Sequence, residues 1–437
     1  MKLLIVGTGY VGLVTGSCFA EMGHQVICLD IDQKRINDLK KGIVDLYEPG
    51  LDSLIHRNLQ TGRLRFTTDY EEGKECAICF IAVPTPSKEG EGSCDLSCLL
   101  EATRSLAETM CQPQIIVIKS TVPVGTTRQM REWISSHQKT KIPFEMVSNP
   151  EFLREGSALS DCMKPDRVIL GVDSHQAAQS MKKLYTTFTF NHERILIMDI
   201  ASAEMTKYVA NAMLALRISF MNEISWLCDL LGASISQVRV GIGADQRIGY
   251  DYLYAGVGFG GSCFPKDLRA LQREAQRLGC ETPLLLATQI VNQRQLSNFL
   301  EKIYTYFSPL GGLQNKKIAI WGLSFKPNTD DLREAPSLKL IQALLERGAS
   351  LALYDPVAMP KAKKSLNHLH IRWSENEYDA AEGSDGILLV TEWKQFRFVD
   401  LDLLLKRMTG RAFFDGRNQY DRKEMIQKGF DYFGIGV

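Results

Sequence analysis

A cysteine in a glycine-rich segment is the residue best suited to covalent chemistry. The segment is GVGFGGSCFPKD at residues 256–267, where Cys263 precedes a helix that Pro265 favours starting. Its four glycines would let the backbone approach a ligand closely. The helix dipole and the charge of Lys266 would both stabilise a thiolate, and Asp267 lies one turn further on, where it could act on a water or a hydroxyl. Cys263 is therefore a candidate nucleophile, although a buried and inert thiol is the usual fate of cysteine.

Two further groups of polar residues could assist such a nucleophile. Lys207 and Asn211 are four residues apart in a mostly apolar helical stretch, so they share one helix face. A lysine in such a place is either a surface residue whose ammonium reaches water or a buried cation with a function. Glu151 and Glu155 are also four apart, in the segment NPEFLREG at residues 149–156. They could orient a water and a cofactor ribose, or they could cap the next helix.

A glycine motif near the start of the chain predicts a dinucleotide site. GTGYVG at residues 7–12 follows an apolar run of strand length and opens a helical pattern. Gly7 would allow the tight turn, and Gly9 would allow the backbone to approach a pyrophosphate closely. Gly12 would allow the helix to pack closely against the strand. Asp30 ends the next strand, 18 residues beyond Gly12, where a carboxylate would bind the adenosine ribose and repel a 2′-phosphate. The motif therefore predicts NAD rather than NADP as the ligand. The alternative is a glycine turn that binds no ligand.

Two proline-containing turns follow predicted strands. They are VPTP at residues 83–86 and STVP at residues 120–123. Ligands bind at the carboxyl ends of strands in open α/β sheets, which would make both turns part of a site. Proline is also common in turns that follow strands and bind no ligand, so the sequence leaves both interpretations open.

The elements that must position these residues fall into three predicted domains. In residues 1–200, short apolar runs alternate with amphipathic stretches, which predicts a parallel sheet with helices on both faces. The predicted strands are 3–6, 26–29, 77–83, 115–118, 144–147 and 168–172.

Residues 201–308 predict a mostly helical middle region. Residues 203–231 contain no Gly or Pro and are apolar at helical spacing, with Ser202 as the predicted cap and Gly232 as the stop. At 1.5 Å per residue this long central helix would measure roughly 43 Å. Further helices are predicted over residues 265–278 and 283–307.

Residues 309–437 predict a second α/β domain with a different ligand. Predicted strands at 317–322, 350–355, 386–391 and 412–415 restart the pattern, and Asp355 ends its strand as Asp30 ends its own. The first turn keeps one glycine, Gly322, so we expect a ligand other than a dinucleotide pyrophosphate. The predicted fold class is α/β, with two Rossmann-like doubly wound parallel-sheet domains joined by the helical region.

The amino-acid composition limits the kinds of binding partner that can be expected. The 437 residues carry 51 Lys plus Arg and 51 Asp plus Glu, and no charged tail is present. A nucleic acid or an anionic membrane is therefore not expected as a binding partner, whereas a small molecule is expected. The eleven cysteines form no zinc-ligand pattern, which predicts no metal site and a reduced, cytoplasmic protein. Gly7 ends the first apolar run too early for a signal peptide, and no run reaches the ~18 apolar residues of a membrane span.

Together these segments resemble the UDP-glucose/GDP-mannose dehydrogenase family over nearly the whole chain. The matching segments are 7–12, 119–123, 149–155, Lys207 with Asn211, 256–267, 325–326 and 415–417. TVPVG at residues 121–125 and YLYAG at residues 252–256 resemble the branch of the family that acts on UDP-glucose.

The resemblance implies an NAD-dependent enzyme that oxidises the C6 alcohol of UDP-glucose to the carboxylate of UDP-glucuronate, using two NAD and one water. Cys263 would hold C6 as a thiohemiacetal and then as a thioester. The other implied catalytic residues are Lys207 for the oxyanion, Asp267 for proton transfer, Glu151 as the base in hydrolysis, and Asn211 and Thr121 for positioning. Alternatives are the same chemistry on GDP-mannose or a UDP-N-acetylhexosamine, and, more remotely, a protein that binds NAD and a nucleotide sugar without turnover.

The resemblance also implies the residues that contact each ligand. For NAD they are Gly7, Gly9, Tyr10, Val11, Gly12, Asp30, Arg35, Thr85, Thr121, Glu155, Lys266 and Arg333. For the nucleotide sugar they are Glu151, Phe152, Leu153, Arg154, Lys207, Asn211, Arg247, Tyr252, Tyr254, Gly258, Phe325, Lys326 and Arg417. The central helix would form a dimer core, so a homodimer or higher homo-oligomer is expected, with Arg247 entering the site of the neighbouring subunit.

Overall fold

The structure is a computed structural model that describes residues 1–88, 93–189 and 194–437. The chain divides into two compact units, the first formed by Met1–Ala210 with Arg269–Leu278 and the second by Asn211–Leu268 with Gly279–Val437. Each unit contains one sheet. The division of the sequence into three domains stays a prediction.

Within the residues that the structure describes, fourteen strands form the two sheets. In the first unit they are β1 Lys2–Val6, β2 Gln25–Leu29, β3 Leu64–Thr67, β4 Ile78–Ile81, β5 Gln114–Ile118, β6 Phe144–Ser148, β7 Val168–Val172 and β8 Ile195–Met198. In the second unit they are β9 Lys317–Trp321, β10 Ser350–Tyr354, β11 Ile371–Trp373, β12 Gly386–Leu389, β13 Ala412–Asp415 and β14 Asp431–Phe433.

Sixteen α-helices surround the sheets in the described part of the chain. Those up to the long helix are α1 Tyr10–Glu21, α2 Gln33–Lys40, α3 Leu51–Gln60, α4 Ser97–Thr109, α5 Thr126–His137, α6 Ala158–Met163, α7 His175–Tyr185 and α8 Ile200–Leu231. They are followed by α9 Ile235–Gly243, α10 Phe264–Arg277, α11 Pro283–Phe307, α12 Pro336–Glu346, α13 Met359–Ser365, α14 Glu377–Ala381, α15 Leu401–Arg407 and α16 Arg422–Gln427. Short 3-10 helices occupy Tyr70–Gly73, Thr186–Phe188, Ser308–Leu310 and Lys394–Phe398.

The sheet of the first unit has the doubly wound order β3-β2-β1-β4-β5-β6-β7-β8. Helices cover both faces of this sheet, so its central strands consist almost entirely of apolar residues. In β1, for example, Leu3, Leu4 and Ile5 are fully buried. All neighbours pair in parallel except β6 and β7, which pair antiparallel. The strand order reverses between β1 and β4, the place where such sheets bind ligands.

The sheet of the second unit repeats this arrangement in the order β11-β10-β9-β12-β13-β14, with every pair parallel. Helix α11 packs its buried face, including Phe299, Ile303 and Phe307, into the same core as β9 and β12. The predicted fold class, with two doubly wound sheets and a long central helix, is confirmed.

The long central helix begins earlier than its sequence pattern predicts. The cap is Asp199 rather than Ser202, because the Asp199 carboxylate accepts the Ser202 N–H at 2.9 Å and the Ser202 hydroxyl at 2.6 Å. Ser202 therefore lies inside the first turn of α8. The helix ends before Gly232, whose φ of 71° is in the left-handed region, as predicted.

No helix in the part of the chain that the structure describes combines the length and the apolar character needed to cross a membrane.

Candidate active site

The turn after β1 has the geometry of a dinucleotide-binding turn. Gly7 adopts φ 99°, and a side chain at Gly12 would place its Cβ 2.0 Å from the Gly7 carbonyl oxygen. Gly12 is therefore required for α1 to pack against β1. A Cβ at Gly9 would meet no other described residue within 4 Å, so this face of the turn is open to a ligand. The residues fit a pyrophosphate at the N-terminus of α1.

An aspartate at the end of the neighbouring strand stabilises this turn. Asp30 Oδ2 accepts the Thr8 N–H at 2.7 Å and the Thr8 hydroxyl at 2.8 Å. The second sheet repeats the contact, since Asp355 Oδ2 accepts the Leu323 N–H at 2.7 Å. Asp355 is 1% exposed and Asp30 is half-buried, so Asp30 alone of the two is accessible to a ribose.

The two proline-containing turns meet at the carboxyl edge of the first sheet. The Thr85 hydroxyl donates to the Thr121 carbonyl oxygen at 2.8 Å, and the Ser120 hydroxyl donates to the Val83 carbonyl oxygen at 2.7 Å. Thr85 and Thr121, both predicted to contact the cofactor, are thus neighbours. Hydrogen bonds therefore join the two turns, and their contact with a ligand stays a prediction.

A buried ion pair joins Lys207 of α8 to Glu151. Lys207 Nζ lies 3.0 Å from Glu151 Oε1, and the residues are 3% and 8% exposed. The interpretation of Lys207 as a surface lysine is wrong, because its ammonium is inside the unit. Burial alone would raise the pKa of Glu151, but the charge of Lys207 and the Leu153 N–H, which donates at 2.6 Å, hold that pKa below its usual value. Glu151 is therefore ionised near neutral pH.

Phe152 and Lys119 complete the surroundings of this pair. The Phe152 ring lies under two cations, with Arg167 Cζ at 3.8 Å and Lys207 Nζ at 5.2 Å from its centroid. Lys119 donates to Asn149 Oδ1 at 3.2 Å, and its pKa is lowered, mainly by burial. Sequence reasoning did not single out Lys119 as a second buried cation, although it begins the KSTVP segment.

The second unit holds the predicted nucleophile at the N-terminus of a helix. Cys263 immediately precedes α10, and its carbonyl oxygen accepts the Asp267 N–H at 2.8 Å, the first bond of that helix. Cys263 is half-buried. Asp267, 1% exposed, accepts the Asn211 amide at 2.6 Å and lies 2.8 Å from Lys266 Nζ. Three predicted site residues are therefore directly linked, one turn from the thiol.

The glycines before Cys263 are packed closely against other parts of the second unit. A Cβ at Gly260 would lie 2.3 Å from the Glu334 carbonyl oxygen, and one at Gly261 would lie 2.8 Å from the Phe325 ring. At Gly256 the neighbour is the Arg417 guanidinium, at 3.1 Å. Close packing within the unit therefore requires these glycines, and their approach to a ligand stays a prediction.

This packing brings the predicted nucleotide-contacting residues beside the cysteine loop. Arg417 Nε donates to the Val390 carbonyl oxygen at 2.7 Å and lies 3.1 Å from a Glu392 carboxylate oxygen. Lys326 Nζ lies 5.4 Å from the centroid of the Phe325 ring. Phe325, Lys326 and Arg417 are half-buried. They follow β9 and β13 at the carboxyl edge of the second sheet, where a ligand is expected.

Four arginines predicted to contact ligands are held in ion pairs within the chain. The pairs are Arg35 with Asp45 at 2.8 Å, Arg154 with Asp161 at 2.6 Å, Arg247 with Asp245 at 2.6 Å and Arg333 with Asp331 at 2.7 Å. The Arg247 side chain is 88% exposed, so it is free to reach a partner molecule if it leaves Asp245. Arg333 also lies at the cysteine loop, since its carbonyl oxygen accepts the Gly261 N–H at 2.9 Å.

The remaining predicted residues occupy varied positions. Tyr252 has φ 59°, an unusual conformation for a bulky residue, and Tyr254 is 63% exposed with Arg239 Cζ 3.6 Å above its ring. Gly258 is buried with φ 109°, where a Cβ would meet Asn292. Val11, Leu153 and Glu155 are half-buried.

Glu48 is a site residue that sequence reasoning missed. It is 6% exposed, accepts the Tyr10 hydroxyl, and accepts the N–H groups of Gly156 at 2.6 Å and Ala158 at 2.7 Å. Glu48, rather than Glu151 or Glu155, thereby caps α6. It also ties the start of α1 to the segment that carries Glu151. Burial, followed by the bond to Glu48, raises the pKa of Tyr10.

Among the described residues, no group of three or more His, Cys, Asp and Glu side chains is arranged to hold a metal ion.

Three family models match the chain in succession. They are the NAD binding domain of the UDP-glucose/GDP-mannose dehydrogenase family at residues 1–189, its central domain at residues 201–294 and its UDP binding domain at residues 319–422.

Individual relatives match over the full length. The chain is 45% identical to a UDP-glucose 6-dehydrogenase of Pseudomonas aeruginosa, covering 100% of this chain and 97% of that protein, and 41% identical to one of Rhizobium meliloti, covering 100% and 99%. Among solved structures, a UDP-glucose dehydrogenase of Pyrobaculum islandicum matches with a TM-score of 0.90 at 36% identity, covering 100% of this chain and 97% of the other. A UDP-D-ManNAc dehydrogenase of Pyrococcus horikoshii matches with a TM-score of 0.87 at 27% identity, covering 100% and 99%.

Proposed function

Because the chain belongs to the UDP-glucose/GDP-mannose dehydrogenase family, we propose that it oxidises UDP-glucose to UDP-glucuronate with NAD. The observation that carries the proposal is the arrangement around Cys263, a thiol at the start of α10 with the buried Asp267–Asn211 pair one turn away. It occurs in a chain that is 45% and 41% identical to two UDP-glucose 6-dehydrogenases.

NAD is the cofactor of the proposed reaction, and when bound it accepts the hydride removed from C6 at each oxidation. The open backbone at Gly9 would receive its pyrophosphate and the half-buried Asp30 its ribose. Thr85 and Thr121, which meet at the carboxyl edge of the sheet, would line the same site.

The first oxidation converts the C6 alcohol to an aldehyde, and the chain has to remove the hydroxyl proton. Asp267 is suited to assist, since its carboxylate is fixed by Asn211 and Lys266. The ammonium of Lys207 would stabilise the oxygen as it becomes negative. Lys207 is suited to this role because it is buried and already oriented by Glu151.

Cys263 accounts for the second oxidation. Its sulfur adds to the aldehyde carbon, forming a C–S bond and a thiohemiacetal whose oxygen takes up one proton. Removal of a hydride and that proton leaves a thioester. Because the carbon stays bound to the protein throughout, the aldehyde can neither leave nor hydrate.

Hydrolysis then releases the acid. A water attacks the thioester carbonyl, its proton passes to Glu151, the C–S bond breaks and the sulfur leaves as thiolate. Glu151 is a suitable acceptor because its carboxylate is ionised and held in place by Lys207 and by the Leu153 N–H. Two NAD and one water are consumed for each UDP-glucose, and two NADH are formed.

The UDP half of the substrate would bind at the carboxyl edge of the second sheet. Phe325 offers an aromatic face, and Lys326 and Arg417 offer charge for the diphosphate. Asp355 is not accessible to a ribose, because it is 1% exposed and its oxygens accept the N–H groups of Leu323 and Ala358, each at 2.7 Å. This supports a different ligand from that of the first sheet, and the family's UDP binding domain model covers residues 319–422.

The proposal includes a homodimer formed by one face of α8. Its large exposed apolar residues fall within about 100° of the helix circumference at 100° per residue. They are Met205, Val209, Met213, Phe220, Leu227, Leu230 and Leu231. An apolar stripe of this length is suited to bury itself against a second copy. The cytoplasm stays the proposed location, in keeping with eleven cysteines that form no disulfide among the described residues.

A panel of nucleotide sugars tests the substrate. Purified protein with NAD should produce NADH from UDP-glucose at a kcat/KM well above that for GDP-mannose or a UDP-N-acetylhexosamine, and Cys263→Ala should abolish complete turnover. Preference for a UDP-N-acetylhexosamine would transfer the proposal to the branch of the Pyrococcus relative. Binding of NAD and UDP-glucose without any NADH, in wild type as in Cys263→Ala, would favour a non-catalytic binding protein.

A further inference from the structure

A second buried carboxylate on α8 binds the first turn of another helix. Glu204 is 2% exposed, and its two oxygens accept different backbone groups of the segment that begins α5. Oε2 accepts the Gly125 N–H at 2.6 Å, and Oε1 accepts the Thr127 N–H at 2.8 Å. Both bonds join residues 77 or more positions apart in the sequence, so they fix tertiary rather than local structure.

Helix α5 depends on this contact because of what lies at its own N-terminus. The residue at the N-cap position is Gly125, with φ 93°, and glycine has no side chain to accept the N–H groups of the first turn. Glu204 supplies the missing acceptor from a distance, and its negative charge suits the positive end of the helix dipole.

The contact joins two parts of the proposed active site. Glu204 lies one turn before Lys207 on α8, and Gly125 ends the loop that begins with Ser120 and contains Thr121. The other end of this loop is held by the bonds from Ser120 to Val83 and from Thr85 to Thr121. The loop is therefore fixed at both ends, and its second attachment is to the helix that carries Lys207.

We propose that Glu204 is a positioning residue that sets the place of Thr121 relative to Lys207 by holding the loop 120–125 against α8. The proposal rests on the proposed function, in which Thr121 and Lys207 both act at the reacting end of the substrate. Glu204 itself touches neither substrate nor cofactor in this account and acts through the loop.

The chemistry of the contact requires a carboxylate of this length. Glutamine would keep one acceptor, but its NH₂ group would face a backbone N–H, so one bond would be lost and two donors would oppose each other. Aspartate keeps both acceptors but is one methylene shorter, so it can restore the contact only if α5 moves toward α8. The expected order of activity is therefore wild type, then Glu204→Asp, then Glu204→Gln and Glu204→Ala.

The test compares these variants with Thr121→Ala, alone and combined with Glu204→Gln. Because a small misplacement of a reacting group can cost up to about 10²-fold in rate, kcat with UDP-glucose should fall roughly 10- to 100-fold in Glu204→Gln. The dissociation constant of UDP should stay unchanged, since Phe325, Lys326 and Arg417 are untouched. If Glu204 acts through the loop, the double variant should be no slower than the slower single variant.

Ser174→Ala is the matched control, because Ser174 caps α7 by accepting the Ala177 N–H at 3.3 Å in the same unit. It should lower the melting temperature without changing kcat. Wild-type kcat in folded Glu204→Gln, or additive losses in the double variant, would overturn the proposal. Failure of all three Glu204 variants to fold while Ser174→Ala folds would also overturn it, because Glu204 would then support the whole unit.

Hydrogen exchange separates this proposal from the proposed function. Backbone amides of residues 121–130 should exchange faster in Glu204→Gln than in wild type, whether or not UDP-glucose is the substrate. A wild type inactive on every nucleotide sugar would refute the proposed function, and unchanged exchange in this segment would refute the contact that Glu204 is proposed to make.

Discussion

Lys207 and Glu151 are held 3.0 Å apart as a buried ion pair, and each supplies the charge that makes the burial of the other tolerable. Lys207 is thereby kept as a cation and Glu151 as an anion. In the proposed mechanism the first stabilises an oxyanion and the second accepts a proton from water.

The pair predicts a dependence of stability on acid pH. The pKa of Glu151 is lower in the folded protein than in the unfolded chain, so its contribution to stability is present above the unfolded value of about 4.3 and is lost as pH falls through the folded value. Urea unfolding between roughly pH 6 and 3 should show a steeper fall for wild type than for Glu151→Gln. Lys207→Met should also lose the steep fall, because without the cation the effect of burial on the pKa of Glu151 is no longer offset by Lys207. Identical slopes in all three proteins would refute the cause assigned here.

The contacts of Glu48 predict a structural cost. Glu48→Ala would leave the buried N–H group of Ala158, the half-buried N–H group of Gly156 and the Tyr10 hydroxyl without their acceptor. One such unsatisfied group costs about 1–3 kcal/mol, so the free energy of unfolding should fall by at least that amount. The affinity for NAD should also fall, because Tyr10 begins α1 directly after the glycine turn. Urea titration and NAD titration measure the two effects, and a variant with wild-type values for both would contradict the role given to Glu48.

How far the sequence predicts the structure depends on the range of the interactions. Helix α11 is predicted over the residues it occupies, 283–307, because Pro283 and the apolar spacing are local signals. The strands β3, β8, β11 and β14 were missed. All four are only three or four residues long and lie at the edges of the sheets. A charged residue interrupts the apolar pattern in β3, β11 and β14, whereas β8, with the sequence ILIM, is apolar throughout.

The residues of the candidate site also differ in how far the sequence predicts them, again according to the range of their interactions. Cys263, Lys207 and Glu151 are recognisable from residue type and motif. The roles of Glu48 and Glu204 are not, because their partners lie 38 to 110 residues away in the sequence and only the fold brings them together. The packing that requires Gly260 and Gly261 is also not predictable from the sequence, because their neighbours Glu334 and Phe325 are distant in the chain.

The exposed face of α8 predicts a change in oligomeric state. Phe220 is 51% exposed in the middle of the apolar stripe, so Phe220→Glu should place a charge in the proposed dimer interface and produce monomers. Leu369 is fully exposed outside the stripe, and Leu369→Glu is the matched control, which should leave the assembly unchanged. Sedimentation velocity measures both. A wild type that sediments as a monomer would refute the proposed dimer.

The proposed roles of Lys207 and Cys263 predict different kinetic defects. Lys207→Ala should slow both oxidations, because an oxyanion develops in each, and losing one such stabilising group typically costs about 3 kcal/mol, roughly a hundredfold in rate. Cys263→Ser should retain weak first-step chemistry or stall as a slowly hydrolysed ester, because an alkoxide leaves less readily than a thiolate. Single-turnover NADH traces with UDP-glucose and with its C6 aldehyde distinguish the two. Equal losses on both substrates for Cys263→Ser, or an unaffected aldehyde step in Lys207→Ala, would contradict these roles.

In the proposed mechanism one chain oxidises C6 twice and holds the carbon on Cys263 between the first oxidation and the release of the acid. The most direct test is the amount of NADH formed for each UDP-glucose consumed, measured by absorbance with a limiting quantity of the sugar nucleotide and excess NAD. Two NADH are expected for each UDP-glucose, with UDP-glucuronate as the product and no free aldehyde trapped by an added amine. One NADH for each UDP-glucose, with the aldehyde recovered in solution, would contradict it.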